Sequence, residues 1–200
     1  MVTKIDFSRL IPGFSSPIMD SQRTFRALLD AMANPGRIIR LAVNLKPPKP
    51  LDDATASICL TLLDFETRLW TDLETESEAV DWLRFHCGCP IVSDQSEAVF
   101  GLYTSSKAIG QLEKFKVGRD ECPEASATVI IQTSGVTGTG GKRLTGPGIE
   151  TLSTLAIKDL KEEFWENRYA QCAMFPLGID IIFTCKNMVV ALPRTTKVED

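Results

Sequence analysis

The amino-acid sequence predicts an α/β layered domain. Helical and short strand patterns alternate along the first 120 of its 200 residues, an order typical of layered α/β proteins. The last third is richer in strand patterns. Hydrophobic residues at 44% and charged residues at 24% are ordinary values for a globular chain. Because single domains usually span about 100–200 residues, we expect residues 1–200 to form one domain.

The first predicted helix begins near Asp20 and carries one apolar stripe. The stripe follows the i, i+3, i+4, i+7 spacing of a helix face, with Phe25, Leu28, Leu29 and Met32. The helix should end at Asn34-Pro35-Gly36, because proline and glycine both oppose its continuation. A strand over 37–43 and a stiff proline-rich connector over 46–50 are expected to follow.

Three more helices and several strands complete the prediction. Asp52 or Asp53 is expected to cap a helix that carries Ile58, Leu62 and Phe65, and a third helix over 76–87 places Val80, Leu83 and Cys87 inward. A further helix is predicted over 106–116. The predicted strands are 67–71, 98–103, 127–132, 143–145, 179–184 and 188–192. A hairpin should turn at Lys186-Asn187, since asparagine tolerates positive φ.

Composition excludes several classes of protein. A net charge of −4 and a pI near 5.2 argue against a general nucleic-acid binder. No apolar run approaches the roughly 18 residues of a membrane span. The first ten residues show no signal-peptide core, so the six cysteines are expected to be reduced thiols in the cytoplasm.

Charge is unevenly distributed along the chain. Residues 1–50 carry eight basic against three acidic side chains, a net of +5, whereas residues 51–100 carry two against eleven, a net of −9. The two quarters either neutralise each other on one surface or leave an electropositive face for an anionic ligand or partner. The sequence leaves both interpretations open.

The glycine-rich stretch at 135–143 differs from a phosphate-binding loop. A Walker A loop would need glycine at the position of Val136 and serine or threonine at the position of Arg143. The residues that follow, Leu144-Thr-Gly-Pro-Gly148, cannot continue into the helix that such a loop requires. The stretch is therefore predicted to be a flexible hairpin tip between two strands.

His86-Cys87-Gly88-Cys89 suggests a metal site, but no second ligand pair follows at a zinc-like spacing. We therefore expect no metal, with Cys87 packed as a small hydrophobic residue. His86 is the only histidine in the chain, so acid–base chemistry near pH 7 would fall to it. The alternative is a half-buried histidine that interacts with its helix dipole.

Two polar positions stand out near the C-terminus. Asp180 interrupts an apolar run, and a carboxylate entering a buried strand needs a partner; an arginine or a ligand would serve. Arg194, Thr195 and Thr196 follow the last predicted strand with donors suited to phosphate oxygens. Open α/β sheets usually present their ligands at strand ends. An ordinary polar tail explains the same residues.

Four segments, in order from about residue 15 to residue 199, resemble the PhnH family, the H subunit of the bacterial carbon–phosphorus lyase core complex. They are Phe25-Arg-Ala-Leu-Leu-Asp-Ala-Met-Ala-Asn-Pro-Gly36, Leu83-Arg-Phe-His86 with Pro90, Leu144-Thr-Gly-Pro-Gly-Ile149, and Phe175-Pro-Leu-Gly-Ile-Asp180 with Ala191-Leu-Pro-Arg-Thr-Thr196. Cys87 and Cys89 depart from the family pattern.

The resemblance implies a three-layer α/β/α domain similar to the large domain of pyridoxal-phosphate-dependent transferases, but without that cofactor. It implies a homodimer in isolation and assembly with the G, I and J subunits. The complex couples an alkylphosphonate to the ribose of a purine nucleoside triphosphate, displacing the base, and the family offers no established catalytic residue.

The matched segments supply a candidate anion pocket or interface: Arg26, Arg84, His86, Arg194, Thr195 and Thr196. The alternative function is a stand-alone enzyme that acts on a phosphorylated small molecule through Arg84, His86 and Arg194.

Overall fold

The computed structural model describes residues 11–199. Within that range the helices are α1 (Pro17–Ala33), α2 (Asp53–Leu62), α3 (Glu78–Cys87) and α4 (Glu162–Cys172). The strands are β1 (Ile39–Arg40), β2 (Leu69–Thr71), β3 (Ile91–Val92), β4 (Phe100–Tyr103), β5 (Thr128–Gln132), β6 (Val136–Thr145), β7 (Ser153–Ile157), β8 (Asp180–Cys185), β9 (Met188–Leu192) and β10 (Lys197–Glu199). None of these helices has both the length and the apolar character needed to cross a membrane.

Seven strands form the large sheet, in the order β1-β9-β8-β5-β4-β2-β3. Strands β8, β5, β4, β2 and β3 run parallel to one another, whereas β9 and then β1 extend one edge with antiparallel pairing. In the middle, Val129 of β5 lies between Gly101 of β4 and Ile181 of β8. The core residues of β5 are buried on both faces, as the continuous apolar runs of parallel strands require.

The two faces of the large sheet carry different layers. Helices α1, α2 and α3 cover one face, where Leu28, Ile58 and Leu83 pack with sheet residues such as Ile130. Helix α4 and a three-stranded antiparallel sheet, in the order β10-β6-β7, cover the other. The predicted α/β class is therefore confirmed. The second outer layer is mixed, because strands share it with α4.

Helix α1 begins at Pro17, three residues before the predicted start, because proline suits the first helical turn. Its predicted apolar stripe does not face the core as a unit. Leu28 is buried, but Phe25 and Leu29 are 46% and 53% exposed. The helix instead buries Asp20, Thr24, Leu28 and Ala31. Periodicity identified the helix but not the side that packs.

The glycine-rich stretch is part of strand β6, so the prediction of a hairpin tip was wrong. β6 pairs with β7 on one side and with β10 on the other. The register against β7 shifts between Thr137 and Lys142, which leaves residues 138–141 as a bulge. The exposed backbone of this bulge, in which three of the four residues are glycines, belongs to an antiparallel strand, which is not the strand–loop–helix setting of a phosphate loop.

Other local predictions needed correction. Residues 106–116 form two short 3-10 turns, Ser106–Ala108 and Leu112–Lys114, with Gly110 between them. Helix α4 was missed, since its apolar stripe is narrow and its exposed side is acidic. Strand β1 has two residues instead of seven. Phe65 lies beyond the end of α2 and is 74% exposed.

Several boundaries agree with the sequence. Val80, Leu83 and Cys87 of α3 are buried, as predicted. β9 matches its predicted range, and β2, β4, β5 and β8 lie within two residues of theirs. The β8–β9 hairpin turns where expected, but the positive φ of 53° belongs to Lys186 and not to Asn187.

Candidate functional site

Asp180 and Arg194 form the best-defined polar contact among the candidate residues. Asp180 Oδ1 accepts bonds from the Arg194 backbone N–H at 2.8 Å and from Nε at 3.2 Å, and Oδ2 accepts from Nη2 at 2.5 Å. The other arm of the guanidinium donates to the Pro123 carbonyl at 2.6 Å. Both side chains are about 15% exposed. The prediction that an arginine partners Asp180 is confirmed, and Arg194 is engaged within the fold.

The edge of the sheet that carries this pair is where its parallel strands begin. β9 runs antiparallel to β8, so Leu192 lies opposite Ile181 and Arg194 reaches Asp180 at the start of β8. Ligands of open α/β sheets bind at the carboxyl ends of the parallel strands, which is the opposite edge. The expectation that Arg194 leaves the ligand-binding edge was wrong, because it took no account of strand direction.

Thr195 and Thr196 lie in the turn that joins β9 to β10. The Thr196 backbone N–H donates to the Pro193 carbonyl at 2.9 Å, and its own carbonyl accepts a bond from the Cys172 thiol at 3.1 Å. The Thr196 side chain is fully buried, and its hydroxyl has no partner in the described part of the chain. Thr195 is half-buried. Thr196 therefore has no surface access to an anion.

Arg168 on α4 is a buried cation that the sequence did not reveal. Only 2% of the residue is exposed, and its guanidinium donates to the carbonyls of Ile179 at 3.0 Å, Leu192 at 3.4 Å and Pro193. Burial lowers its pKa. Arg168 thus links the segment before β8 to the turn after β9. Recognition of α4 as a helix would have placed Arg168 on its inward side, beside Phe164.

Three of the four matched segments meet in one packed corner, defined here as the glycine corner of Gly36, Gly146 and Gly148. A Cβ atom added at Gly148 would lie 2.0 Å from the Ala33 carbonyl at the end of α1. One added at Gly146 would lie 2.9 Å from the Thr195 carbonyl. The Gly36 backbone N–H also donates to the Ala191 carbonyl at 3.2 Å. These glycines allow the backbones to approach closely.

His86 and Arg84 lie on α3, in the helical layer. The His86 ring nitrogen Nε2 is 3.1 Å from the Ile11 carbonyl, which also accepts a bond from the Trp82 indole at 2.8 Å. The imidazole packs 4.8 Å from the Trp82 ring and 4.9 Å from the Phe85 ring. His86 therefore anchors the start of the described chain. This arrangement agrees with a half-buried, hydrogen-bonded histidine.

The structure divides the candidate anion residues into separate groups. Arg84 contacts the Asp81 carboxylate at 3.8 Å and the Thr75 carbonyl at 3.4 Å. Arg26 is exposed on α1 and forms no ion pair within residues 11–199. No hydrogen bond or ion pair in that range joins Arg26, Arg84 or His86 to Arg194 and the two threonines.

A polar cavity of about 310 Å³ opens at the carboxyl edge of β4 and β5, the usual ligand edge of such sheets. Its walls come from the turns after the two strands and from two carboxylates: Asp52, Thr104, Ser105, Ser106, Lys107, Gln132, Thr133, Ser134 and Asp159. The Ser134 hydroxyl, with a smaller effect of Lys107, lowers the pKa of Asp159. Such a wall can hydrogen-bond a small polar molecule.

Gln132 fixes one wall of this cavity. Its Oε1 accepts bonds from the Asp52 backbone N–H at 2.7 Å and the Thr55 hydroxyl at 2.8 Å, and its Nε2 donates to the carbonyls of Pro50 and Thr104. This cavity was not predicted from the sequence. The signal was a run of polar residues after each of two neighbouring strands, at 104–107 and at 132–134.

Three of the six cysteines form a buried group on the helical side. Cys59, Cys87 and Cys89 are all buried. The hydrogen bond between Cys87 and Cys89 lowers the pKa of the Cys89 thiol. Across the described part of the chain, no three or more histidine, cysteine or acidic side chains cluster as metal ligands.

Comparisons with known proteins relate the whole of this arrangement to one family. A family model described as "Bacterial phosphonate metabolism protein (PhnH)" matches residues 12–199. The "Alpha-D-ribose 1-methylphosphonate 5-triphosphate synthase subunit PhnH" of Rhizobium meliloti (strain 1021) is 35% identical over 190 residues, 94% of this chain and 94% of that protein. The "Putative C-P lyase subunit protein HtxG" of Stutzerimonas stutzeri is 32% identical over 177 residues, 88% of this chain and 85% of that protein. With nearly every described residue matched, the chain belongs to the PhnH family of bacterial phosphonate metabolism proteins.

Proposed function

We propose that this protein is a subunit of the carbon–phosphorus lyase core complex in organic phosphonate catabolism. With its partner subunits it would be required to couple an alkylphosphonate to the ribose of a purine nucleoside triphosphate. The Rhizobium relative, named as a subunit of a ribose 1-methylphosphonate 5-triphosphate synthase, supports this proposal because it matches across 94% of both chains. Phosphonate metabolism is also the setting that the family description gives.

One structural observation carries the proposal of a non-autonomous subunit. Polar side chains of the matched segments are used inside the fold, as in the Asp180–Arg194 and His86–Ile11 contacts. Large apolar side chains of a matched segment instead point outward on α1. A protein that works within a complex is expected to show this distribution, since its exposed apolar surface becomes buried on assembly.

We further propose a homodimer in isolation, and partnership with the G, I and J subunits in the cytoplasm. An apolar patch at the end of α4, formed by Tyr169, Met174 and Phe175, supports self-association. These side chains are 70%, 44% and 60% exposed, and the exposed residues between them are uncharged. A segment without charged side chains can face a copy of itself without repulsion between its own residues.

The finer description of the fold is also part of the proposal. We regard residues 1–200 as one PhnH-like domain that resembles the large domain of pyridoxal-phosphate-dependent transferases and works without that cofactor. Its mixed sheet, with parallel strands between two outer layers, supports the resemblance. Among the candidate anion residues, Arg26 and Arg84 retain side-chain surface for an anion or a partner.

The decisive experiment compares the isolated chain with the assembled complex. Base release from a purine nucleoside triphosphate is measured in the presence of methylphosphonate with this chain alone, with the partner subunits alone and with the two mixed. We expect base release only in the mixture. Release by the isolated chain would instead support the stand-alone enzyme, and release by the partner subunits without this chain would contradict its requirement.

A further inference from the structure

Helix α1 turns its larger apolar side chains toward solvent. Its buried side consists of Asp20, Thr24, Leu28 and Ala31, only one of which is a large hydrophobic residue. Its outer side carries Ile18, Phe25 and Leu29, which are 83%, 46% and 53% exposed. A surface helix in a monomeric protein normally has the reverse arrangement. The outer side of α1 is therefore suited to a partner.

The spacing on this outer side is that of a helix–helix seam. Ile18, Gln22, Phe25 and Leu29 follow one another at intervals of four, three and four residues, the a/d spacing of coiled coils. The helix has 17 residues, which correspond to about 25 Å of length. We call Ile18, Gln22, Phe25 and Leu29 the outer seam. Its geometry favours another α-helix over a strand or loop.

The charges beside the outer seam are basic. Arg23 and Arg26 are exposed, and Arg26 has no ion-pair partner within residues 11–199. Arg23 lies farther around the helix, toward the buried Asp20, with which it forms an ion pair at 3.7 Å, so Arg26 is the flanking charge of the outer seam. Asp30, the next acidic residue of the helix, is engaged with the Asn34 side chain and with Arg37. The first three turns thus present positive charge without an exposed carboxylate of their own.

This charge pattern argues against a second copy on the outer seam. In an antiparallel pair of α1 helices centred on Phe25, the Arg26 side chains of the two copies would face each other. Like charges at such flanking positions destabilise a helix pair, whereas opposite charges select the partner. A helix with acidic flanks would pair with Arg26.

We propose that the outer seam, together with Arg26, docks an amphipathic α-helix with acidic flanking side chains from a partner subunit of the complex. This inference rests on the proposed function. It gives a role to Arg26 and Phe25, both of which belong to the first matched segment.

The test uses surface variants of the full-length chain in assembly with its partner subunits. Phe25→Gln with Leu29→Gln removes the apolar contacts, and Arg26→Glu reverses one flanking charge. Phe65→Gln is the matched control, because Phe65 is 74% exposed but lies outside α1. Unchanged thermal unfolding verifies that each variant folds, which is expected since the substituted side chains lie outside the core.

We expect the double variant to weaken assembly by about 100-fold, as loss of central apolar anchors does. Arg26→Glu should weaken it by about tenfold and reduce its sensitivity to salt. Phe65→Gln should assemble like the wild type. If the α1 variants assemble as well as the wild type does, the inference is overturned and the proposed function stands. Loss of self-association with normal assembly would assign the seam to a second copy. Failure of the wild type to assemble would reject both proposals.

Discussion

Asp180 holds Arg194 by its backbone and by its guanidinium at once. One carboxylate accepts the main-chain N–H and two side-chain N–H groups, so the turn that follows β9 is tied to the start of β8. The contact joins the two stretches of the fourth matched segment, 175–180 and 191–196, which the sequence separates by ten residues. It is a structural link within the subunit, and its energetics can be measured.

A double-mutant cycle should show strong coupling between these two residues. We expect Asp180→Asn and Arg194→Met each to lower the free energy of unfolding by about 2–4 kcal/mol, because each leaves a largely buried charge without its partner. The double variant should lose less than the sum of the two. Denaturant unfolding provides the measurement. Additive losses would show that the pair contributes no specific interaction.

Arg168→Met should destabilise the protein by about 2–4 kcal/mol, because three buried carbonyls would lose their donors. Arg168→Lys should not rescue it, since a single ammonium cannot reproduce the guanidinium fork. Arg119→Met, at an exposed position, is the control and should change stability by less than about 0.5 kcal/mol. Equal unfolding midpoints for Arg168→Met and the control would contradict this role.

Gly148→Ala and Gly140→Ala form a matched pair of substitutions at positive φ, 82° and 72°. At Gly148 the new Cβ would meet the Ala33 carbonyl, whereas at Gly140 nothing lies within 4 Å. We expect Gly140→Ala to cost about 1 kcal/mol from backbone strain alone. Gly148→Ala should cost at least about 2 kcal/mol more, since the end of α1 must move. Thermal unfolding of both variants distinguishes strain from steric contact.

Asp72 should make stability depend on pH in a defined direction. Its carboxylate accepts bonds from the Thr104 backbone and hydroxyl, and burial raises its pKa above the ordinary 3.8. The folded protein therefore binds this proton more tightly than the unfolded chain, so the charged form costs stability at neutral pH. As the pH falls toward 3.8, the wild type should gain stability relative to Asp72→Asn. The unfolding free energies of both proteins are measured between pH 7 and pH 4. A difference between them that stays constant over this range would contradict the prediction.

The apolar patch at the end of α4 should control self-association of the isolated protein. Met174→Ser with Phe175→Ser is expected to convert a homodimer into a monomer, because both side chains are exposed and carry no core contacts. Light scattering at tens of micromolar measures the outcome. The outer-seam variant Phe25→Gln with Leu29→Gln is the control and should remain dimeric. A wild-type monomer under these conditions would remove the homodimer from the proposal.

The sequence predicted the elements whose pattern is local. The hydrophobic runs of β5, β8 and β9 and the capped helix α3 were identified within two residues of their bounds, because burial imposes a clear apolar pattern on each. Helix α4 was missed, since only Phe164, Trp165, Arg168 and Gln171 are buried and two of these are polar. The helix predicted over 106–116 failed because Gly110 and tertiary contacts divide it into turns.

Site geometry was less predictable for a different reason. The partnership of Asp180 with an arginine followed from the cost of a buried charge. The edge of the sheet at which the pair lies depends on the antiparallel direction of β9, and no single residue indicates that direction. The exposed side of α1 could not be distinguished from its buried side either, because both sides carry apolar residues at helical spacing, Leu28 and Ala31 on the buried side and Phe25 and Leu29 on the exposed side. The cavity at the carboxyl edge depends on which strands are neighbours, and this is a property of topology.

The order of strands in the large sheet also sets a limit on how the protein is made. Ile39 pairs with Val189, and the interior strand β8 lies between β5 and β9, so the sheet is incomplete until β9 has been synthesised. During translation, residues 17–87 remain attached to the ribosome while the apolar side chains of α1, α2 and α3 that face the sheet are still incompletely covered. A nascent chain that stalls before residue 180 would lack β8 and β9, so one edge of β5 would stay unpaired, and an unpaired interior strand is an aggregation site.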